Sequence, residues 1–254
     1  MNDPGVSRPT FTGIKVEVRR CSDLADNSVI PDLRPDVVDV WICSLEVSPP
    51  IERICYELLS LEERERAARY RIGKPREDFI LTRGTLRSLL SRYLGATPQE
   101  LSFRYSAYGK PFLDRHCDLR FNVSHSGGLA LMAFAREREI GIDVEKVDRE
   151  VDAKKLSERF FSVRERQCLK DLSGEELQSA FFRCWTRKEA YVKARGEGLS
   201  LPLHQFDVSL TPGETRALLA TRPDPSEACR WTLRDLPADS GYAAALAVAE
   251  TNGD

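Results

Sequence analysis

Two acidic residues, Asp143 and Glu145, are the first candidates for chemistry in this chain of 254 residues. They lie in the segment GIDVE (141–145), and the β-rich sequence around it predicts a strand over 139–147. Residues two apart in a strand point to the same face, so both carboxylates should project together. Like charges on one face repel each other unless a cation lies between them. The pair therefore indicates either a metal site or a strand face that is simply exposed to water.

A third acid, Glu189, lies in a predicted helix over residues 179–196. The apolar stripe of this helix consists of Phe181, Trp185 and Val192. Glu189 falls inside the stripe, where a carboxylate is costly unless it is paired or coordinated. Lys193 follows at i+4, so a helical salt bridge is one explanation. The other is a hard cation held by all three acids, because magnesium takes oxygen ligands and usually bridges to substrate phosphates.

The segment FNVSHSGG (121–128) predicts a strand that runs into a tight turn. The hydroxyl of Ser124, the imidazole of His125 and glycine-exposed amides are suited to binding a phosphate oxygen. An ordinary hairpin turn is the alternative. A Ser-His hydrolase is a further alternative, but the chain has no G-x-S-x-G motif and no acid placed to orient the histidine.

Basic and glycine-containing segments could add phosphate contacts. YGKP (108–111) predicts a loop, which by itself is only a turn. Lys110 lies at the tip of this loop. A cationic segment around Arg66 alternates with glutamates, so it can also be a solvated helix face. Arg83, in a predicted helix over 78–95, could join a second phosphate site or pair with a neighbouring acid.

The order of the predicted elements repeats along the chain. Four matched pairs are 102, 102, 104 and 103 residues apart, namely Trp41 and Asp143, Ser60 and Ser162, Thr82 and Thr186, and Phe103 and Phe206. The near-constant offset predicts a duplicated α+β unit. Two copies that pack together would form a cleft, which is the expected location of a site. The predicted boundaries are an N-terminal extension over 1–37, an N-terminal half-domain over 38–138 and a C-terminal half-domain over 139–254.

Composition argues against several classes of protein. Hydrophobic residues make up 41% and charged residues 31%, which is typical of a globular domain. The net charge of −2 argues against wholesale binding of nucleic acid or acidic membranes. No apolar run approaches the roughly 18 residues of a membrane span, and the amino-terminal segment has no signal-peptide core. The seven cysteines lack CxxC spacing, which predicts free thiols in a reducing cytoplasm.

Five segments taken together resemble one family. The ordered set YGKP, FNVSHSG, GIDVE, FFSVRE and WTRKEAYVKARGEGL resembles the Sfp-type 4′-phosphopantetheinyl transferases over about residues 38–210. GIDVE followed about forty residues later by W-T-x-K-E-A-x-x-K is the specific part of the match. The resemblance implies an α+β fold of two similar half-domains related by a pseudo-twofold axis, with coenzyme A in the cleft between them.

The resemblance also implies a role for each motif residue. The implied magnesium ligands are Asp143, Glu145 and Glu189. The implied contacts to phosphates of coenzyme A are Ser124, His125 and Lys193. The implied adenine-side residues are Gly109, Lys110 and Pro111. Family members often carry lysines where this chain has Glu63 and Arg66, so Arg66 and Arg83 are the expected cofactor contacts of the first half, with Arg64 and Arg69 as further candidates.

The implied reaction moves the phosphopantetheine arm of coenzyme A onto a serine of an apo-carrier protein and releases adenosine 3′,5′-bisphosphate. Catalysis would depend on positioning and on charge stabilisation by magnesium and Lys193. Glu189 would serve first as a metal ligand and could also accept the serine proton, and His125 would bind a phosphate of coenzyme A. A magnesium nuclease or nucleotide hydrolase and a non-catalytic binding module are the competing hypotheses. A monomer is expected, because one chain supplies both halves of the cleft. A cytoplasmic location without nucleic-acid or membrane partners is expected from the composition.

Overall fold

The computed structural model describes residues 14–21, 32–71, 73–114, 117–148 and 150–250, with Leu199 described by its backbone alone. Across these residues the chain is a mixed α+β fold, as predicted. Its strands are β1 (Lys15–Arg20), β2 (Val37–Ser44), β3 (Phe103–Tyr105), β4 (Pro111–Leu113), β5 (Leu119–Ser126), β6 (Leu129–Arg136), β7 (Ile140–Lys146), β8 (Phe206–Val208), β9 (Leu218–Thr221), β10 (Trp231–Asp235) and β11 (Tyr242–Ala249). Its α-helices are α1 (Pro49–Leu58), α2 (Leu61–Arg69), α3 (Lys74–Leu94), α4 (Ala153–Phe160), α5 (Val163–Leu169) and α6 (Gly174–Arg195). No helix in these ranges is long and apolar enough to cross a membrane.

The first sheet has four strands in the order β1-β2-β6-β5. β1 runs parallel to β2, whereas β6 runs antiparallel to both β2 and β5. One face of this sheet packs with α3 in a core that includes Leu86, Leu89 and Phe134. The other face packs against the second sheet, where Val40 and Ile142 belong to one buried cluster. The central strand β6 is therefore buried along nearly its whole length.

The second sheet, β10-β11-β7, is antiparallel and lies against α6. The helix crosses β7 at Gly141, where a Cβ atom would lie only 2.1 Å from the carbonyl oxygen of Ala190. Cβ contacts below 3.0 Å essentially do not occur, so this approach needs a residue without a side chain. The close crossing brings Lys193 of α6 into contact with Asp143 of β7.

The two sheets meet along β5 and β7, which are joined by side chains of β5. Three alternate residues of β5 each supply a side-chain oxygen that accepts a backbone N–H of β7. The pairs are Ile142 N–H to Asn122 Oδ1 (2.8 Å), Val144 N–H to Ser124 Oγ (3.3 Å) and Lys146 N–H to Ser126 Oγ (3.2 Å). Because residues two apart share a strand face, one polar face of β5 follows β7 along its length.

Both copies of the predicted repeat contain the same helix start. Ser60 and Glu63 form a capping box at the start of α2, and Ser162 and Glu165 form one at the start of α5. The long helices that follow, α3 and α6, each end at a glycine in the left-handed conformation. These matching local structures support a duplication, while the axis that would relate the copies stays a prediction.

Two features of the amino-terminal region were not found by the sequence analysis. Of the predicted extension 1–37, the structure describes residues 14–21 and 32–37, and the first of these stretches contains the strand β1; the rest of the extension lies outside the described residues. The prediction of seven free thiols is wrong for one pair, because Cys21 and Cys43 form a disulfide with Cα atoms 4.9 Å apart. Strand pairing explains this bond: Arg20 lies opposite Ile42, so the next residue on each strand is a cysteine facing the other. The remaining five cysteines are free.

Candidate active site

Asp143 lies in the middle of β7 and is almost completely buried, with 2% of its surface exposed. Its Oδ1 atom accepts hydrogen bonds from Ser124 Oγ (2.9 Å) and Lys193 Nζ (2.6 Å). Its Oδ2 atom is buried as well but has no hydrogen-bond partner among the described residues. A buried carboxylate oxygen without a partner is costly. The position is therefore suited to a cation or to a hydrogen-bond donor from a bound molecule.

Glu145 and Glu189 lie near Asp143 and are half-buried. Glu145 follows on the same strand, and its Oε2 atom accepts a 2.8 Å hydrogen bond from Ser126. Glu189 lies on α6 and forms no hydrogen bond or ion pair within the described parts of the chain. Asp143 and Glu145 were expected to share one face of their strand. Their hydrogen bonds agree with this, because each carboxylate accepts a hydrogen bond from a serine of β5.

Burial raises the pKa of all three carboxyl groups above its ordinary value. At Asp143 this effect outweighs the attraction of Lys193 and the hydrogen bonds to its carboxylate. The negative charge of Asp143 also raises the pKa of Glu145 and of Glu189. A cation among the three would relieve both the burial cost and the mutual repulsion.

The three carboxylates are the kind of ligand that a hard divalent cation prefers, but they are not gathered closely around one point. No group of three or more His, Cys, Asp or Glu side chains in the described ranges is gathered tightly enough to hold a metal ion. The donors are nevertheless all oxygens, as magnesium prefers, and Asp143 Oδ2 is an unused ligand atom. The chemistry of the donor set therefore supports a metal site.

The side chain of Lys193 forms hydrogen bonds with residues of β7 and β5 and not with residues of its own helix. Its ammonium donates to Asp143 Oδ1 at 2.6 Å and to Ser124 Oγ at 2.9 Å. The i+4 salt bridge with Glu189, which the sequence left open, is not among the ion pairs of the described residues. Lys193 is thus a counter-ion for the buried Asp143.

Ser124 and His125 occupy opposite faces of β5. The hydroxyl of Ser124 donates to Asp143 and accepts from Lys193 and from the Val144 N–H, which uses its full hydrogen-bonding capacity. His125 is exposed to solvent at the end of the strand, although its ring is partly covered. This partial burial and Lys193 lower the pKa of the imidazole, against the attraction of Asp78. The phosphate contacts implied for both residues stay predictions.

A cavity of about 300 Å³ brings the YGKP loop next to β5 and α6. Its lining includes Gly109, Lys110, Pro111, Asn122, Glu189 and Lys193. Gly109 has a φ of 83°, a conformation that favours glycine at this turn. The structure thus unites the expected adenine-side residues with two expected catalytic residues. The lining does not include the other predicted residues of β5 and β7, namely Ser124, His125, Asp143 and Glu145.

The two arginines expected to contact the cofactor lie outside the lining of this cavity. Arg66 is exposed on α2, with its guanidinium carbon 5.1 Å from the centre of the Phe79 ring. Arg83 donates to Glu63 Oε1 at 2.7 Å, and Arg87 donates to Glu63 Oε2 at 2.5 Å. Glu63 is therefore a buried acceptor for Arg83 and Arg87, both on α3. The roles of Arg66 and Arg83 in cofactor binding stay predictions.

Two residues of β5 that the sequence analysis did not assign contribute to this region. Ser126 donates to Glu145, and Asn122 accepts from Ile142 while lining the cavity. The signal that could have found them is the alternation N-x-S-x-S, which places three short polar side chains on one face of a predicted strand. The pattern indicates a polar face, but it does not identify the strand that this face meets.

Comparisons with known proteins match nearly the whole described chain. A model of the 4′-phosphopantetheinyl transferase superfamily matches residues 139–247, and a model of the 4′-phosphopantetheinyl transferase N-terminal region matches residues 51–137. The chain is 40% identical over 220 residues to the 4′-phosphopantetheinyl transferase HetI of Nostoc sp., covering 85% of this chain and 90% of HetI. The chain belongs to the 4′-phosphopantetheinyl transferase family.

This transferase is also 32% identical over 192 residues to the 4′-phosphopantetheinyl transferase Sfp of Bacillus subtilis, covering 75% of this chain and 82% of Sfp. It is 37% identical over 110 residues to the 4′-phosphopantetheinyl transferase AcpT of Salmonella typhimurium, covering 43% of this chain and 56% of AcpT. These matches confirm the Sfp-like family predicted from the motifs. The family uses coenzyme A as substrate, generally with a divalent metal ion, and acts on apo-carrier proteins.

Proposed function

We propose that this transferase moves the 4′-phosphopantetheine arm of coenzyme A onto a serine of an acyl, peptidyl or polyketide carrier protein. The proposed reaction depends on magnesium and releases adenosine 3′,5′-bisphosphate. The observation that supports it most directly is the carboxylate of Asp143, whose Oδ2 atom is buried without a partner while Lys193 binds Oδ1. A divalent cation bound together with the substrate phosphates would satisfy this oxygen.

Asp143, Glu145 and Glu189 would hold the magnesium ion. When bound, the ion supplies charge neutralisation at the diphosphate. The raised pKa of all three carboxyl groups supports this assignment, because a cation would relieve their repulsion. Ser124 and Ser126 would orient the two strand carboxylates through the hydrogen bonds they already donate.

The chemical step is the attack of the carrier serine Oγ on the phosphorus that bears pantetheine. A bond forms between this oxygen and phosphorus, and the bond from phosphorus to the adenosine bisphosphate oxygen breaks. Lys193 would stabilise the negative charge that develops on the leaving phosphate. Glu189 is the candidate acceptor for the serine proton, although its role as a ligand ranks first because a metal-bound carboxylate is a weak base.

Coenzyme A would lie with its adenine against the loop 109–111 and a phosphate near His125. An imidazole with a lowered pKa can still donate one N–H to a phosphate oxygen. Ser124 could join this contact only by giving up one of its present hydrogen bonds. Arg66 and Arg83 remain proposed for the 3′-phosphate; Arg66 is exposed, whereas Arg83 would have to leave its glutamate partner.

We place the reaction in a cleft between half-domains 38–138 and 139–254, related by a pseudo-twofold axis. The matching capped helices α2 and α5 and the long helices α3 and α6 support this arrangement. Because one chain would supply both walls of the cleft, a monomer would suffice. A cytoplasmic location without nucleic-acid or membrane partners remains part of the proposal.

The experiment that tests this function incubates the purified chain with coenzyme A, magnesium chloride and an apo-carrier protein, followed by mass spectrometry of the carrier. The expected result is a mass increase of one phosphopantetheine that requires both magnesium and the carrier serine. A serine-to-alanine carrier is the matched control. A nucleotide hydrolase would release product without any carrier, and a binding module would leave the carrier unchanged; either result would overturn the proposal.

A further inference from the structure

The side chain of Lys110 uses all of its hydrogen-bond donors within the protein. Its Nζ atom donates to Glu139 Oε2 at 3.0 Å, to the carbonyl oxygen of Ile140 at 3.2 Å and to the carbonyl oxygen of Ala194 at 3.1 Å. An ammonium group carries three N–H donors and no acceptor. Lys110 therefore has no donor left for a bound ligand while these three bonds are in place.

The acceptors of Lys110 belong to the two elements that carry the site carboxylates. Ala194 lies in the last turn of α6, where carbonyl groups lack partners within the helix. A positive charge at this end of a helix is also favourable. Ile140 is the first residue of β7, and Glu139 directly precedes it. One side chain from the β3–β4 hairpin thus ties the end of α6 to the start of β7.

Hydrogen bonds to Ser106 and close packing fix the conformation of the loop around Lys110. The Gly109 N–H donates to the Ser106 carbonyl oxygen at 2.9 Å, and the Lys110 N–H donates to Ser106 Oγ at 3.1 Å. On the opposite side, a Cβ atom at Gly196 would lie 3.5 Å from Lys110 Cδ, and one at Gly198 would lie 3.1 Å from Tyr108 Cβ. The hairpin loop therefore packs directly on the segment that follows α6.

Lys110 also lines two cavities. Lys110, Pro111 and Gly196 line both the cavity of about 300 Å³ that contains Glu189 and Lys193 and a larger neighbouring one of about 960 Å³. Removing the side chain would take away a lining group of both cavities and the donor that the Ile140 and Ala194 carbonyl oxygens now share.

We infer that Lys110 is a positioning residue, which latches the hairpin loop to the end of α6 and shapes the cofactor cavity without binding a phosphate of coenzyme A. The role in cofactor binding rests on the proposed function, whereas the latch itself does not. Lys110 would then act on coenzyme A indirectly, through the position of the loop and of α6, and not through a direct contact of its ammonium with a phosphate.

The first test measures the latch without any ligand, by hydrogen exchange of the purified chain. Lys110→Met keeps most of the stem but removes the ammonium. We expect the amides of Gly196, Ser200 and Leu201, which are hydrogen-bonded now, to exchange at least about fivefold faster, while protected amides of β6 keep their rates. Lys110→Arg, which keeps a charged donor group, should restore much of the protection. Unchanged exchange at these three amides in Lys110→Met would overturn the latch.

The second test measures equilibrium binding of coenzyme A by calorimetry and uses the acidic partner. Glu139→Gln removes the charged acceptor of Lys110. If Lys110 is a latch, both Lys110→Met and Glu139→Gln should weaken binding, by about three- to tenfold, and the double variant should be little worse than Lys110→Met. If Lys110 instead binds a phosphate directly, freeing it from Glu139 should leave binding unchanged or tighten it. That result would overturn the inference.

Arg120→Met is the matched control for the second test. Arg120 donates to the other oxygen of Glu139 at 3.2 Å, so its loss disturbs the same carboxylate without touching Lys110. We expect coenzyme A binding within about twofold of the parent protein. A loss as large as that of Glu139→Gln would assign the effect to Glu139 and Arg120 and would count against Lys110. A parent chain that fails to bind coenzyme A would contradict the proposed function, while the exchange experiment would still decide on the latch.

Discussion

Lys193 donates a 2.6 Å hydrogen bond to Asp143, 50 positions earlier in the chain, and does not pair with Glu189 one helical turn away. The close crossing of α6 over Gly141 makes this contact possible. The lysine is consequently the counter-ion of a nearly buried carboxylate. Its removal should affect the folded state as well as the reaction.

Replacing Lys193 by methionine should lower the free energy of unfolding by about 1–3 kcal/mol and impair transfer. Breaking a buried ion pair costs roughly 3–5 kcal/mol. The loss should be smaller here because the Lys193 side chain is 29% exposed. Magnesium should recover part of the stability, since it would replace the missing positive charge at Asp143. Urea unfolding with and without magnesium chloride measures both effects.

Lys170→Met is the control for this comparison, because Lys170 is exposed at the end of α5. Its effect should stay within about 0.5 kcal/mol. A Lys193→Met protein as stable as the parent would contradict the counter-ion role of Lys193.

Replacing Asp143 by alanine should reduce transfer by more than about a hundredfold while the chain stays folded. Loss of a residue that merely supports a metal ligand typically costs 10- to 100-fold, and loss of a ligand should cost at least as much. Carrier mass spectrometry measures transfer, and circular dichroism checks the fold. Asp171→Ala, an exposed aspartate beyond α5, is the matched control and should retain full activity. Near-normal turnover of Asp143→Ala at saturating magnesium would exclude Asp143 as a ligand.

Glu63→Gln should destabilise the protein by about 1–3 kcal/mol at neutral pH and much less in acid. Burial raises the pKa of Glu63, but Arg83 and Arg87 outweigh burial, so the pKa in the folded protein lies below the ordinary value of 4.5. A lowered pKa means that the ionised form stabilises the folded state. This contribution is complete above the unfolded pKa and is lost as the pH falls through the folded pKa.

The measurement is urea unfolding of parent and Glu63→Gln proteins at a series of pH values between about 7 and 3. The difference between them should shrink progressively once the pH falls below about 4.5. Glu62→Gln, an exposed neighbour on α2, should show a difference within about 0.5 kcal/mol at every pH. A constant difference for Glu63→Gln across the whole series would show that its charge is not the stabilising feature.

Replacing His125 by alanine should raise the Michaelis constant for coenzyme A about ten- to a hundredfold. A hydrogen bond to a charged phosphate is worth roughly 1.5–3 kcal/mol. Steady-state kinetics with coenzyme A and with dephospho-coenzyme A identify the contact. A smaller loss with dephospho-coenzyme A would indicate the 3′-phosphate, and equal losses would indicate the diphosphate. No loss with either substrate would make His125 a structural residue of the turn.

Local signals in the sequence determined several of the individual elements. The capping boxes at Ser60 and Ser162 and the glycines that end α3 and α6 involve residues only a few positions apart. Helical and strand periodicity likewise act over short distances, so they predicted α6 and β7 and the shared face of Asp143 and Glu145. The motifs GIDVE and W-T-x-K-E-A-x-x-K were specific enough to indicate the family before any tertiary contact was known.

Contacts between distant segments were decided only by the tertiary structure. Lys193 had Glu189 within reach on its own helix, yet the packing of α6 on β7 gave it Asp143. Lys110 looked available for a ligand until the fold brought Ala194 and Ile140 to its ammonium. The physical reason is that a charged side chain pairs with whichever acceptor the buried packing leaves closest and least solvated. No local sequence pattern identifies these acceptors, because Ile140 and Ala194 lie 30 and 84 positions from Lys110 along the chain.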